Sequence, residues 1–117
     1  GDCMKALYHD RVVGIFCDNL DYFKEQIGFP VKKTKTGIYF PKGEIDILLE
    51  GFEREQALIE VKSHHGLMGK FLTKQFQAYR GYNPNASIYL LCGTNDLSLN
   101  VEDFTLRRYQ RGFWCLE

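Results

Sequence analysis

Four ionisable side chains interrupt two apolar runs within residues 43–63, GEIDILLEGFEREQALIEVKS: Glu44, Asp46, Glu60 and Lys62. A charge in such a run is unfavourable unless it is paired or holds a metal. Alternation in a strand has period two. Glu44, Asp46 and Leu48 therefore share one face of a strand over 44–50, with Ile45, Ile47 and Leu49 on the other. In a second strand over 57–63, Leu58, Glu60 and Lys62 share a face, opposite to Ala57, Ile59 and Val61. A hairpin with Gly51 to Glu55 as its loop sets Leu48 against Leu58, Asp46 against Glu60 and Glu44 against Lys62. Side chains so opposed lie roughly 4.5–5.5 Å apart at Cβ.

Two carboxylates in that relation repel each other unless a cation stands between them. A divalent ion with oxygen ligands removes the repulsion, and the Val61 carbonyl offers one more ligand. Lys62 points to the same side as Glu60, where it can orient a water or meet charge developing on a phosphate. A plain surface salt-bridge cluster is the competing account. Glu44 and Lys62 alone would satisfy it, and it leaves Asp46 against Glu60 unexplained. Downstream, Gln75 and Tyr79 are four residues apart on one helical face, in line with Leu67 and Phe71. A glutamine in an apolar stripe needs a partner if it is buried.

The elements that must carry these groups follow from periodicity. His9, Val12, Val13, Phe16, Leu20, Phe23 and Ile27 recur at three- and four-residue steps, the stripe of an amphipathic helix over 8–27 that Gly14 divides and Gly28 and Pro30 end. His9 on this stripe reads as a core histidine. VKKTKTGIYF reads as an irregular or edge strand with Gly37 as a turn. HHGLMG is a loop, and 67–80 a helix whose inner face is Leu67, Phe71, Leu72, Phe76 and Tyr79, ended by GYNPN. ASIYLLC is an apolar run expected of a central strand covered on both faces. GTND is a turn, and DFTLRRY and GFWCLE form a last hairpin or pair of edge strands. A helix between two strands favours a right-handed crossover, hence an α/β fold with a mixed sheet flanked by helices on both sides.

The 117 residues make one domain, residues 1–117, with the composition of a soluble globular protein, 44% hydrophobic and 26% charged. No apolar run approaches the roughly 18 residues of a membrane span, and no signal-peptide pattern points to export. Cys3, Cys17, Cys92 and Cys115 form no CxxC pair, which argues against a zinc knuckle or an iron–sulfur cluster. Cys17 and Cys92 read as buried thiols rather than a bridge. An intracellular address, cytoplasmic or nucleoid, or in the host cell for a viral protein, fits best. Net charge is zero but segregated. Lys32, Lys33, Lys35 and Lys42 occur between Gln26 and Gly43 without an acid, and Lys62, Lys70, Lys74 and Arg80 between Val61 and Asn95, again without one. Together they point to a polyanion surface.

These residues resemble the PD-(D/E)xK nuclease superfamily. Asp46 followed by Glu60-Val61-Lys62 matches its D…ExK signature, and KQFQAY, with Gln75 and Tyr79, resembles the QxxxY element of RecB-like and Cas4-like members. Small size and KEQIGF before a lysine-rich strand look most like archaeal and phage Holliday junction resolvases, with stand-alone virus-type repair nucleases as the alternative. The resemblance implies a restriction-endonuclease-like core over about residues 15–95. It also implies hydrolysis of DNA phosphodiesters with Mg²⁺ or Mn²⁺ held by Asp46, Glu60 and the Val61 carbonyl. Lys62 would position the attacking water or stabilise the transition state, while Gln75 and Tyr79 steady Lys62 or the substrate. Many members carry a glutamate in the first helix, whereas Cys17 and Asp18 stand near that place here. Glu44 is the substitute. His64 and His65 adjoin the site, and Lys32, Lys33, Lys35, Lys70 and Lys74 are the expected DNA contacts. Symmetric cutting of a four-way junction needs two sites, so a homodimer is expected, with Phe113, Trp114 and Leu116 offering an apolar contact. The rival readings are an end-, flap- or single-strand-directed nuclease, or a catalytically silent nucleic-acid-binding module.

Overall fold

The computed structural model describes residues 2–62, 69–93, 100–110 and 113–115. It begins with helix α1 (Asp2–Asp18), a 3₁₀ turn (Leu20–Phe23) and the single-turn helix α2 (Lys24–Ile27). Strands β1 (Val31–Phe40), β2 (Gly43–Gly51) and β3 (Gln56–Lys62) follow, then helix α3 (Gly69–Tyr82). Strands β4 (Ser87–Cys92), β5 (Thr105–Gln110) and β6 (Phe113–Cys115) complete the order. All six strands form one sheet in sequence order, antiparallel throughout except for the parallel pair β3–β4 that α3 connects. The expected α/β architecture with a mixed sheet is present.

Each face of the sheet has its own apolar layer. On one, Tyr8, Val12 and Phe16 of α1 and Phe23 and Ile27 beyond it pack on Ile47, Leu49, Ala57, Ile59, Val61, Tyr89 and Leu91. On the other, Phe76 and Tyr79 of α3 pack on Ile45, Leu48, Leu58, Ile88 and Leu90. Strands β3 and β4 are covered on both sides, which is why their sequences run almost without polar interruption. Each fully buried Phe or Leu in these layers contributes roughly 1.5–3 kcal/mol relative to exposure.

The first helix breaks later than its composition indicates. Gly14 continues α1, and the chain turns at Asn19 instead. There the Asn19 side-chain amide donates to the Ile15 carbonyl at 2.7 Å and its backbone N–H to Phe16 at 3.0 Å. An asparagine that bonds locally in this way competes with the helix ladder. The turn folds Phe23 back onto Phe16, ring centroids 4.8 Å apart. Gly28 then closes α2 in the left-handed conformation, φ 85°. The Tyr89 hydroxyl donates to the Gln26 carbonyl at 2.7 Å and ties this corner to β4.

The β2–β3 register is the expected one, with Leu48 opposite Leu58 and Ile47 opposite Ile59. The strict alternation of β2 is not. Leu48 and Ile45, three residues apart, both join the α3-side layer, while Glu44 lines a cleft against α1. The same inversion occurs in β1, where Thr36 faces Ile47 of the α1 side, yet Ile38 and Phe40 pack against the α3-side layer. Both strands keep one register, pairing Thr36 with Ile47 and Ile38 with Ile45, so the switch falls at Gly37 and its opposite number Asp46. Gly37 is no turn. It lies inside a continuous strand at φ 61°, a left-handed conformation that inverts the pleat.

The expected loop over 64–69, apart from Gly69, which begins α3, and most of the GTND turn lie outside the described residues, as do His64, His65, Leu67 and Leu116. The side chains of Lys70, Phe71, Leu72, Phe113 and Trp114 lie outside them too. Cys17 and Cys92 are free thiols rather than a bridge, as expected; Cys92 is buried, whereas Cys17 is only half-buried. Among the described residues, no helix is long and apolar enough to cross a membrane.

An alanine at Gly37 meets no clash, its nearest neighbour being the Glu44 carboxylate in ordinary contact 3.7 Å from the added Cβ. Its cost is therefore backbone strain alone, about 1–2 kcal/mol. Urea unfolding of Gly37→Ala should show the midpoint lowered accordingly at unchanged slope. A variant as stable as the parent would mean that the left-handed residue does not hold the inversion.

Candidate functional site

Because the pleat inverts at Asp46, the face expected to carry Glu44, Asp46 and Leu48 together does not exist. Glu44 and Asp46 turn toward α1, and Leu48 toward α3. The β2–β3 ladder runs only from Glu50↔Gln56 to Ile47↔Ile59. Beyond it the strands part, and neither Asp46 with Glu60 nor Glu44 with Lys62 is a ladder pair.

Side chains take over the backbone groups that parting strands leave unmet. The Val61 N–H donates to Asp46 Oδ2 at 2.8 Å. The Glu44 carbonyl accepts from Gln75 Nε2 at 2.9 Å and from the Tyr79 hydroxyl at 3.2 Å. One turn of α3 thus presents Gln75 and Tyr79 to the end of β2, and the single Tyr79 hydroxyl proton is shared between that carbonyl and Glu60 Oε2, the nearer acceptor at 3.0 Å. The half-buried glutamine finds its partner at the end of β2. Together Gln75 and Tyr79 hold the Glu44 carbonyl and the Glu60 carboxyl.

Asp46 and Glu60 meet in this gap, the first reaching from the α1 side and the second from the α3 side. Their carboxyls share a hydrogen bond. Glu60 is 7% exposed, the one buried charged residue among those described. Burial, reinforced by the adjacent Asp46 charge, pushes its carboxyl up to about 8, against which Lys62 and Tyr79 act weakly. Burial works to raise Asp46 as well. Hydrogen bonds from His9, Val61 and Glu60 outweigh it and hold Asp46 below the ordinary carboxylate value. The pair thus holds one proton, Glu60 donating to ionised Asp46. Burial and these two acids push the Tyr79 hydroxyl far up, so it remains a donor. Lys62 Nζ stands 3.8 Å from Glu60 Oε1, on the side foreseen for it.

The chemistry of this donor set suits a hard divalent cation. Two carboxylates compelled to share a proton gain most from an ion that replaces it, and the Val61 carbonyl and Glu44 offer further oxygens nearby. Among the described residues, no three His, Cys, Asp or Glu side chains are close enough to hold an ion as they stand.

His9 is not the core residue that its place on the stripe implies. Its side chain is 35% exposed, with Nε2 3.5 Å from Asp46 Oδ2 and Nδ1 3.5 Å from Asp10 Oδ1. The Asp46 hydrogen bond raises its imidazole above the usual value against the opposing effect of burial. A polar residue on an inner face demands a partner, and that argument, applied to Gln75, applied equally here. His9, Asp10, Asp18, Thr36, Gly37 and Glu44 line a cleft of about 410 Å³ between α1 and the hairpin. Asp18, which stands near the place of the first-helix glutamate of the resembled family, also lines this cleft.

The expected polyanion contacts divide. Lys32 and Lys33 on β1 and Lys74 on α3 are exposed. Lys35 is engaged, its Nζ 2.9 Å from Glu50 Oε1.

The shared proton gives the metal-free protein an unusual pH dependence. Folded Glu60 titrates near 8 and an unperturbed glutamate near 4.5, so between these values the folded state binds more protons than the unfolded one. Stability therefore falls as pH rises through this window. Asp46, held low, contributes stability that is lost only as pH falls below the ordinary aspartate value of 3.8. In EDTA, urea unfolding should show a loss on the order of 1–3 kcal/mol between pH 5 and pH 8. Glu60→Gln should flatten that loss. Stability rising over this window in the parent would contradict the shared proton.

No protein-family model, characterised protein or solved structure matches this chain, so its function is argued from the residues and their geometry.

Proposed function

We propose that the protein is a divalent-metal-dependent endonuclease that hydrolyses DNA phosphodiesters, with selectivity for branched DNA of the junction type. One observation carries the reading. Buried Glu60 and Asp46, whose side chain is 11% exposed, face each other where β2 and β3 part, with the Lys62 ammonium beside them. A structural role alone gives no reason to retain two repelling carboxylates in a core, and the D…ExK and QxxxY resemblance assigns this constellation a chemistry.

Asp46, Glu60 and the Val61 carbonyl would hold Mg²⁺ or Mn²⁺. The ion, when bound, supplies Lewis-acid polarisation of the phosphate and a water of lowered pKa. The chain's own residues do the rest. The Val61 N–H fixes the rotation of the Asp46 carboxylate, leaving its second oxygen as a ligand. Tyr79 fixes Glu60 through the 3.0 Å bond to Oε2, and Gln75 locks the β2 main chain behind it. Lys62 orients the attacking water or meets negative charge on the phosphate, and its 3.8 Å distance from Glu60 keeps it at the ligand shell. Lys32, Lys33 and Lys74 supply sequence-independent contacts to the DNA backbone, joined by Lys70. Paired cuts across a junction require a second copy of the chain. The work of such an enzyme lies inside a cell.

Labelled four-way junction, flap, duplex and single-stranded DNA, incubated with Mg²⁺ or Mn²⁺, should be cut only with metal and fastest at the junction. Asp46→Ala should lower cleavage at least about 10²-fold, since it removes both a ligand and the bond to Val61. Wild-type rates from Asp46→Ala under matched metal would refute the assignment, and preference for flaps or ends would move the substrate to the repair class.

Binding should also depend on salt, each phosphate contact adding about 0.9 to the log–log slope on duplex DNA. Lys33→Gln should reduce that slope more than Lys35→Gln, because Lys35 already serves Glu50. Equal reductions, or an affinity indifferent to salt, would remove the assigned lysine surface.

A further inference from the structure

We propose that Arg107 binds the DNA phosphate next to the one that Lys62 meets, so that the strand to be cut crosses the ends of β3, β4 and β5 on the α3 side. This rests on the nuclease reading above and deepens it by giving the substrate a path.

The register fixes the placement. Strand β3 sets Glu60 beside Leu90 and Lys62 beside Cys92 of β4, and β4 in turn sets Leu90 beside Arg107 and Cys92 beside Thr105 of β5. Leu58, Leu90 and Cys92 belong to the α3-side layer, and Phe104 and Leu106 to the α1-side one. Alternation therefore turns Glu60, Lys62 and Arg107 toward α3 and Arg108 toward α1. The Tyr109 ring, stacked on Phe76 of α3 at 4.9 Å, shows the same phase along β5. Arg107 thus stands level with Glu60 and two strands away. Strand spacings of roughly 4.8 Å and rises of roughly 3.3 Å per residue put Lys62 and Arg107 about 12 Å apart at Cα. Two cations so spaced suit successive phosphates of one strand rather than a single group.

The chemistry agrees. Neither β4 nor β5 contains an Asp or Glu. Arg107 is half-buried, and among the described residues no carboxylate pairs with it. Lys35, by contrast, already serves Glu50, and Arg108 Nη2 reaches Ser87 Oγ at 3.5 Å. A half-buried charge left without a partner is unfavourable. A phosphate supplies the missing partner, since the planar guanidinium meets its oxygens in a bidentate pair of bonds. Burial raises the Cys92 thiol above its usual value, and the charges of Arg107 and Lys62 both act against it, so this thiol lies between two cations. Strand β6 pairs only Arg108, Tyr109 and Gln110. Among the described residues no strand covers the outer edge of β5 at Arg107, and a DNA backbone can reach it.

The test begins with fluorescence anisotropy of a labelled duplex in EDTA, titrated with the parent, Arg107→Gln, Arg107→Lys and Arg108→Gln chains over a range of KCl. Circular dichroism first checks that each is folded. Arg107→Gln should weaken binding about 10-fold for every sequence and lower the log–log salt slope by about 0.9. Arg107→Lys should recover the slope, and Arg108→Gln should lower it by less than half as much. Cleavage with Mg²⁺ then locates the contact. Once the cut in the preferred substrate is mapped, an uncharged methylphosphonate is placed at each adjoining phosphate in turn. At one of them it should raise KM for the parent about 10-fold with kcat little changed, and add nothing to the defect of Arg107→Gln. Equal slopes from Arg107→Gln and Arg108→Gln, or defects that multiply at both adjoining phosphates, would overturn the Arg107 contact, while Asp46-dependent cleavage would leave the nuclease reading standing. A parent that binds DNA yet cuts none with Mg²⁺ or Mn²⁺ would overturn that reading and the path drawn from it.

Discussion

The bond from the Val61 N–H to Asp46 Oδ2 is the constraint on which the candidate site depends. In a continuing antiparallel ladder that amide would bond a carbonyl of β2. The pleat inversion at Gly37 and Asp46 ends the ladder two residues early, and the Asp46 carboxylate takes the place of the missing backbone acceptor. A charged acceptor at 2.8 Å makes a stronger bond than a neutral one. The strand end is thus secured by an ionised side chain rather than weakened by it. Without this substitution the amide of Val61 would be stranded in a covered part of the sheet.

The parted strands create a gap, and each helix fills one side of it with a different chemistry. From α3, Gln75 and Tyr79 satisfy the Glu44 carbonyl and the Glu60 carboxyl. From α1, His9 meets Asp46. Neither helix alone would fix both acids, and Asp46 lies off the face that regular alternation gives it, while Glu60 keeps its own, on the α3 side with Leu58. The two apolar layers that seat these helices are therefore the means of positioning the chemistry. Removing volume beneath Phe76 or Phe16 would displace donors several ångströms away as well as destabilise the core.

Much of this was legible in the sequence, for reasons that can be named. The register of β2 with β3 followed from matching Leu48 to Leu58, since a one-residue slip would have exposed every apolar side chain. Gln75 could be assigned a buried partner because an amide in an apolar stripe must have one. The inversion could not be read, because a glycine inside a strand and a glycine in a turn look alike until its φ is known. Assuming unbroken alternation gave the right partners, Asp46 and Glu60, by the wrong route, through one shared face rather than two faces meeting at a gap. His9 was passed over because a histidine among Val12, Val13 and Phe16 is locally indistinguishable from a core residue, and its partner is far along the chain. The engagement of Lys35 depended on Glu50, which lies outside the basic cluster where that lysine was counted.

The charges that cancel in the composition are partitioned in space, and this bears on how a polyanion could approach. The cleft beside α1 carries Asp10, Asp18 and Glu44. Lys33 and Lys35 lie along the α3 side of β1, opposite Glu50 and Leu48, and Lys74 is exposed on α3 itself. A phosphate backbone is repelled by the first side and attracted by the second, while a free divalent ion has the reverse preference. On the proposed function, the two species that a metal-dependent nuclease must admit would be drawn to opposite sides of the same pair of acids. Lys62, at the end of β3 beside Glu60, stands at the boundary between them. A phosphate held there would meet the Lys62 ammonium before it met the acidic cleft, and the ion would reach the acids without crossing the lysines. On that proposal, neutral net charge follows from serving two oppositely charged ligands from one small sheet.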